Sequence, residues 1–151
     1  MRSTTSCVQR LEGGQCDANA RGNVPDKAPL SDMAAALPRV LVVEDEPLVR
    51  MLIATHLAEH GFSVVEAASA DEAVSVLSDD GCVVLVFSDI QMPDANDGID
   101  LAKWIASERP ELKVLLTSGR PAPEAARPWP FVAKPYRLDR VEKQLREMAG
   151  A

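Results

Sequence analysis

From Arg39 onward the chain repeats one pattern: a short run rich in Val, Leu and Ile, then a longer segment whose apolar residues recur every three or four positions. A short apolar run without polar alternation suits a strand covered on both faces. A three-to-four spacing suits a helix that lays one stripe on a sheet. Chains that alternate the two build βα units around a parallel sheet. Five strands are predicted, at 39–44, 62–67, 83–89, 112–118 and, more weakly, 130–134. The first and third are almost wholly apolar, as central strands should be. Right-handed crossovers then give an α/β fold, an open doubly wound five-stranded parallel sheet with helices on both faces.

The connecting segments carry helix signals. Residues 47–60 open with Pro47 at a first helical position, place Leu48, Leu52, Ile53 and Leu57 along one predicted face, and stop at Gly61. Ser69 and Glu72 stand at capping-box spacing ahead of a second helix running to about Asp79. A third follows Gly98, with Ile99, Leu101, Ala102 and Ile105 inward and Pro110 beyond its end. A last helix is predicted from Leu138 to Met148, with Val141, Leu145 and Met148 inward. The fourth crossover differs: Pro121, Pro123, Pro128 and Pro130 limit any helix there to about one turn, since an interior proline costs ~3 kcal/mol. The fourth helix is therefore expected to be short or missing.

Residues 1–37 lack apolar periodicity and are rich in Gly, Ser, Thr, Asn and Pro, so they are expected to form a disordered tail ahead of one folded domain at 38–151. Met33 just precedes the folded pattern, which raises the question of whether translation starts there. With 151 residues, one domain is the default. A net charge of -7 argues against direct nucleic-acid binding, which draws on Lys and Arg neutralising phosphates. Three cysteines, Cys7, Cys16 and Cys82, form no CxxC pair and suggest neither a disulfide framework nor a structural metal. They fit a reducing cytoplasm. No apolar run reaches the roughly 20 residues of a membrane span.

Open α/β sheets bind ligands at the carboxyl ends of their strands. There strand one ends in Glu44-Asp45-Glu46, strand three in Ser88-Asp89, strand four in Thr117-Ser118 and strand five in Lys134-Pro135. Each has an ordinary reading: acids at a helix N-terminus, an Asp in a turn, a lysine on the surface. Together they have a chemical one. Converging carboxylates repel unless a cation sits among them, and hard oxygen ligands suit Mg²⁺. A carboxylate nucleophile beside an acidic metal pair, a hydroxyl donor and a lysine is what phosphoryl transfer to an aspartate requires.

The segments "VLVVEDEPLVR", "VLVFSDIQMPDANDGIDLA", "LLTSG" and "FVAKPY" resemble the receiver domain of bacterial response regulators, over about residues 38–149. The resemblance implies a flavodoxin-like strand order 2-1-3-4-5, for which the chemotaxis receiver is the stock example. It also implies residue roles: Asp89 as phosphoacceptor; Glu44 and Asp45, with Asp89 and the backbone carbonyl of Gln91, as Mg²⁺ ligands; Lys134 as the phosphoryl-pairing lysine; Thr117 and Phe131 as switch residues. The donor would be a histidine kinase or histidine phosphotransfer protein. The output surface would be the fourth crossover, the fifth strand and the last helix, read by a downstream protein, with no attached output domain, nucleic acid or membrane.

Two departures bear on this. The proline-rich crossover is shorter than usual, and "MPDANDGID" has one residue more between Pro93 and Gly98 than the commonest pattern; both are similar to stand-alone alphaproteobacterial receivers or those trailing hybrid kinases. Such a domain is expected not to be an enzyme beyond gaining and losing its own phosphoryl group. The alternatives are a pseudo-receiver serving only for interaction, and a phosphatase or phosphotransferase working through an aspartyl phosphate. The latter typically shows Asp-x-Asp, whereas Gln91 stands two places after Asp89. His56 and His60 have the i, i+4 spacing of a zinc pair but no third ligand close in sequence, so they read as a solvated helix face.

Overall fold

A computed structural model describes residues 37–93 and 95–150; apart from Leu37, the predicted tail lies outside the described residues. The elements run β1 (Arg39–Val43), α1 (Pro47–Glu59), β2 (Ser63–Ala67), α2 (Ala70–Asp79), β3 (Leu85–Asp89), α3 (Gly98–Glu108), β4 (Lys113–Ser118), a 3₁₀ turn (Glu124–Ala126), β5 (Phe131–Ala133) and α4 (Leu138–Ala149). All strands pair in parallel, in the order β2-β1-β3-β4-β5. The strands are one to two residues shorter than predicted, although backbone bonds run on past them, from the Val84 N–H to Arg39 O at 3.0 Å and from the Lys113 N–H to Val84 O at 3.2 Å. The four prolines leave one 3₁₀ turn where a fourth crossover helix would lie.

Strand alternation splits the core in two. Leu41, Val43, Val86, Val114 and Leu116 face α2 and α3, meeting Ala73, Leu77, Leu101 and Ile105. Val40, Val42, Leu85, Phe87 and Leu115 face α1 and α4, meeting Ile53, Leu57, Val141 and Leu145. Truncating a fully buried leucine such as Leu115 to alanine would cost about 2–5 kcal/mol.

The predicted inward face of α1 requires correction. Ile53, Ala54 and Leu57 are buried, but Leu48 and Leu52 are 69% and 59% exposed and Met51 is 54% exposed. The stripe that meets the sheet runs through half-buried Val49 to Ile53 and Leu57, and at 100° per residue Leu48 and Leu52 fall off it. The helix ends at Gly61, whose φ of 95° lies where a side chain would be strained.

At α2, Ser69 Oγ accepts from the Glu72 N–H at 3.1 Å, as the spacing predicts, but the Glu72 carboxylate turns to the Ala68 N–H at 2.7 Å instead of that of Ser69. A complete capping box occurs at α3, between Asp97 and Asp100. Arg109, unremarked in the sequence, is buried and donates to Leu77 O at the end of α2 at 2.8 Å while pairing with Glu111. Cys7 and Cys16 lie outside the described residues, and so does the expectation that the three cysteines build no disulfide framework. Among the described residues no helix is long and apolar enough to cross a membrane.

Candidate functional site

Four parallel strands deliver polar groups to one edge. Glu44 follows directly on β1, Asp89 ends β3, Thr117 lies opposite Asp89 in the β3–β4 ladder, and Lys134 follows β5. The ladder continues past the strands: the Ile90 N–H donates to Thr117 O at 2.8 Å, and the Lys134 N–H to Ser118 O at 2.9 Å. Backbone pairing therefore sets where these side chains begin.

Glu44 and Asp89 are 3% and 5% exposed, unusual burial for carboxylates. The Lys134 ammonium donates to Asp89 Oδ2 at 2.8 Å and reaches Glu44 Oε1 at 3.4 Å. The remaining Asp89 oxygen, Oδ1, accepts from the Gln91 N–H at 3.1 Å, and Glu44 Oε2 accepts from the Glu46 N–H at 3.2 Å. Arg50, from α1, donates to Glu44 O at 2.7 Å and pairs with Glu66 at 3.2 Å, anchoring the turn after β1. Asp45 is half-buried beside them, and carboxylate oxygens of Glu44, Asp45 and Asp89 lie within 4.8 Å of one another.

Charge in this cluster is unbalanced, three carboxylates against one lysine. Burial raises the Glu44 carboxyl above its ordinary value; the Glu46 N–H and Lys134 oppose the rise, while Asp89 and Asp45 add to it. Burial acts to lower the Lys134 ammonium, but its bond to Asp89 and the charges of Asp89 and Glu44 outweigh this and raise it. A hard divalent cation would relieve the repulsion, and an all-oxygen donor set fits Mg²⁺.

Thr117 is 1% exposed and its Oγ1 is buried without a hydrogen-bond partner, so the hydroxyl is available to a group arriving at the site. Gln91, predicted to lend its carbonyl, is held here through its N–H, and its side-chain Oε1 accepts from Ser118 Oγ at 2.5 Å. Phe131 stands apart: it pairs with Leu116 and packs, half-buried, on the α2–α3 face. By strand alternation that is the face opposite to Thr117.

Gly98 is a site residue that the sequence reading used only as a helix boundary. Its N–H donates to Ile90 O at 3.0 Å, and a Cβ there would stand 2.2 Å from Asp89 O and 2.8 Å from Ile90 Cα. Only glycine lets α3 begin this close to the strand that carries Asp89. Tyr136 was also missed. Its ring meets Phe87 edge-on at 5.8 Å and its hydroxyl is buried without a partner.

Against known proteins, the family model described as "Response regulator receiver domain" matches residues 40–146. The chain is 42% identical over 117 residues to the transcriptional regulatory protein PdtaR of Mycobacterium tuberculosis, covering 73% of this chain and 56% of that protein. It is 35% identical over 116 residues to the sensor kinase CckA of Brucella abortus, covering 72% of this chain and 12% of CckA. Among solved structures it is similar to the response regulator TrrA of Thermotoga maritima in complex with Mg(2+)-BeF, with a TM-score of 0.67 and 26% identity over 74% of this chain and 98% of that one. The chain thus spans about half the length of PdtaR.

Proposed function

Because this chain belongs to the response regulator receiver family, we propose that Asp89 takes a phosphoryl group from a phosphohistidine and that the resulting acyl phosphate switches the domain between two surface states. One observation carries the reading: the Thr117 hydroxyl, buried and without a partner, in the strand position opposite an Asp89 carboxylate that Lys134 already holds. A buried hydroxyl left unsatisfied costs about 1–3 kcal/mol. That cost is removed when a phosphoryl oxygen accepts its hydrogen bond.

In the transfer, an Asp89 oxygen forms the new O–P bond as the N–P bond of the phosphohistidine breaks, and the imidazole nitrogen leaves with the electron pair. Lys134 is placed to pair with a phosphoryl oxygen, and Thr117 to donate to another. Glu44, Asp45, Asp89 and the Gln91 carbonyl would hold Mg²⁺, which supplies positive charge opposite the phosphoryl oxygens. The similarity to TrrA, solved with Mg(2+)-BeF, supports this cofactor.

Phosphorylation would draw Thr117 toward the phosphoryl group, and the change would pass through β4 and β5 to Phe131, Trp129 and the 3₁₀ turn. Aspartyl-phosphate hydrolysis closes the cycle, so the chain is a switch and not an enzyme for external substrates. The donor is a histidine kinase or histidine phosphotransfer protein, consistent with the similarity to CckA. Since such donors draw on ATP, the reaction belongs in the cytoplasm. The exposed Leu48, Met51 and Leu52 of α1, beginning three residues after Asp45, offer an apolar docking face beside the acidic cluster.

Intact-mass measurement after incubation with acetyl phosphate and Mg²⁺ tests the reading. One phosphoryl adduct is expected in wild type, absent in Asp89→Asn and after metal chelation. No adduct with acetyl phosphate or with candidate kinases would leave a pseudo-receiver, an interaction module without the chemistry.

A further inference from the structure

The third ligand that the sequence did not supply for His56 and His60 comes from α4. His56 lies in the last turn of α1 and His60 one turn on, their rings stacked with centroids 4.2 Å apart. Glu142, from α4, points Oε1 at His56 Nε2 across 3.7 Å, too far for a hydrogen bond. His56 Nε2 is accordingly a buried nitrogen without a hydrogen-bond partner. One ligand atom from each of His56, His60 and Glu142 can be chosen so that all lie within 4.8 Å of one another. We propose that His56, His60 and Glu142 form a second metal site, specific for a borderline divalent ion of the Zn²⁺ type, that ties α1 to α4.

The surroundings prepare each donor. His60 Nδ1 lies 2.8 Å from His56 O, and since a carbonyl only accepts, Nδ1 carries the proton and Nε2 keeps the lone pair a metal needs. A backbone partner on the far ring nitrogen is how metal-binding histidines are ordinarily oriented. Arg146 contacts the other Glu142 oxygen, Oε2, and also donates to His60 O at 2.8 Å. Its hydrogen bond, ahead of the nearby histidines, keeps the Glu142 carboxyl below the ordinary value, so Oε1 is an anionic ligand at neutral pH. Both helices are fixed by the same core cluster, through Ile53, Leu57, Val141 and Leu145.

Tetrahedral zinc with bonds of about 2.0–2.2 Å needs its ligand atoms about 3.3–3.5 Å apart, which small side-chain rotations supply. Two imidazoles and one carboxylate suit Zn²⁺, Ni²⁺ or Cu²⁺ and do not suit Mg²⁺, so this site and the all-oxygen cluster select different ions. His56 lies about 14 Å of helix beyond Pro47, where α1 leaves the acidic edge. An ion bound only by the folded state would stabilise the pairing of α1 with α4 and raise the thermal midpoint by linkage.

The chain contains two histidines in all, so histidine-ring NMR reports on this site alone. Zn²⁺ would be titrated into the full chain with Mg²⁺ in excess to keep the acidic cluster filled. Expected are concerted shifts of both rings, complete at one equivalent, and an affinity at least about tenfold weaker in Glu142→Gln and in His60→Ala, the order of change that follows loss of even an outer-shell partner. His60 is exposed and lies beyond the helix, so its variant folds even where a His56 variant does not. Rings that stay unmoved by stoichiometric zinc, or binding equal in wild type and Glu142→Gln, would overturn the assignment.

Discussion

Lys134 Nζ stands 2.8 Å from Asp89 Oδ2, so the residue after β5 reaches past β4 to the last residue of β3. This ion pair joins residues 45 apart in sequence, and Lys134 is the one cation paired with the carboxylates of Asp89 and Glu44 among the described residues. Lys134→Met leaves the acids facing each other and should cost about 1–2 kcal/mol, below the usual figure for a broken buried pair because the lysine retains some solvent. Urea midpoints would measure it, and Mg²⁺ should restore part of the loss. The ammonium is raised from 10.5, so its stabilisation is fully present below that pH and disappears as pH climbs through the raised value.

Glu44 has a consequence of the same sign within the acid range. Its carboxyl is raised from 4.5 by burial first, with Asp89 and Asp45 adding and the Glu46 N–H and Lys134 opposing, so the folded protein holds this proton better than the unfolded chain. Stability through Glu44 is therefore full below pH 4.5 and falls as pH rises through the raised value. Glu44→Gln should flatten that fall and leave the metal-free protein more stable at neutral pH, while weakening Mg²⁺ binding by about tenfold or more. Denaturation across a pH series, with and without Mg²⁺, separates the two effects. A variant less stable than wild type without metal would contradict this account of the buried charge.

Thr117→Ala removes a hydroxyl that has no partner, so thermal stability should change little or rise. Phosphoryl uptake from acetyl phosphate should slow by about 10- to 100-fold, the kinetic value of one hydrogen bond to a charged oxygen. Thr117→Ser should keep most of the rate. Loss of rate together with loss of folding would mean that the hydroxyl serves packing instead.

Tyr136 is the sole tyrosine in the chain, so tyrosinate absorbance follows it alone. Burial pushes its phenol from 10.0 to about 12, with Glu44 and Asp89 adding and Lys134 opposing. Its stabilising contribution is present below pH 10 and lost as pH rises toward about 12, so alkaline unfolding and tyrosinate formation should coincide. Tyr136→Phe keeps the edge contact with Phe87, removes the orphan hydroxyl and should gain about 1 kcal/mol.

How much of this was legible in advance differs between elements for physical reasons. The first and third strands read most clearly and the fifth more weakly, because a central strand covered on both faces demands an unbroken apolar run, and Pro121, Pro123, Pro128 and Pro130 exclude a full helix wherever they fall. The acidic edge was legible because parallel strands all deliver their carboxyl ends to one side. Leu48 and Leu52 misled because apolar character on a helix does not say which 100° of its surface meets the sheet. Gly98 looked like punctuation, since nothing local reveals that Asp89 O will pass 2.2 Å from its missing Cβ.

The sequence by itself determined the order and type of the elements and the residue types brought to the functional edge, since periodicity and proline chemistry act over a few neighbouring residues. Only the tertiary structure decided which of those residues meet. Lys134 finds Asp89, Arg109 finds the end of α2, and Glu142 completes His56 and His60, because each pairing depends on how strands lie side by side and how α4 settles against α1. Such contacts join residues tens of positions apart, and their geometry is set by packing of the whole core.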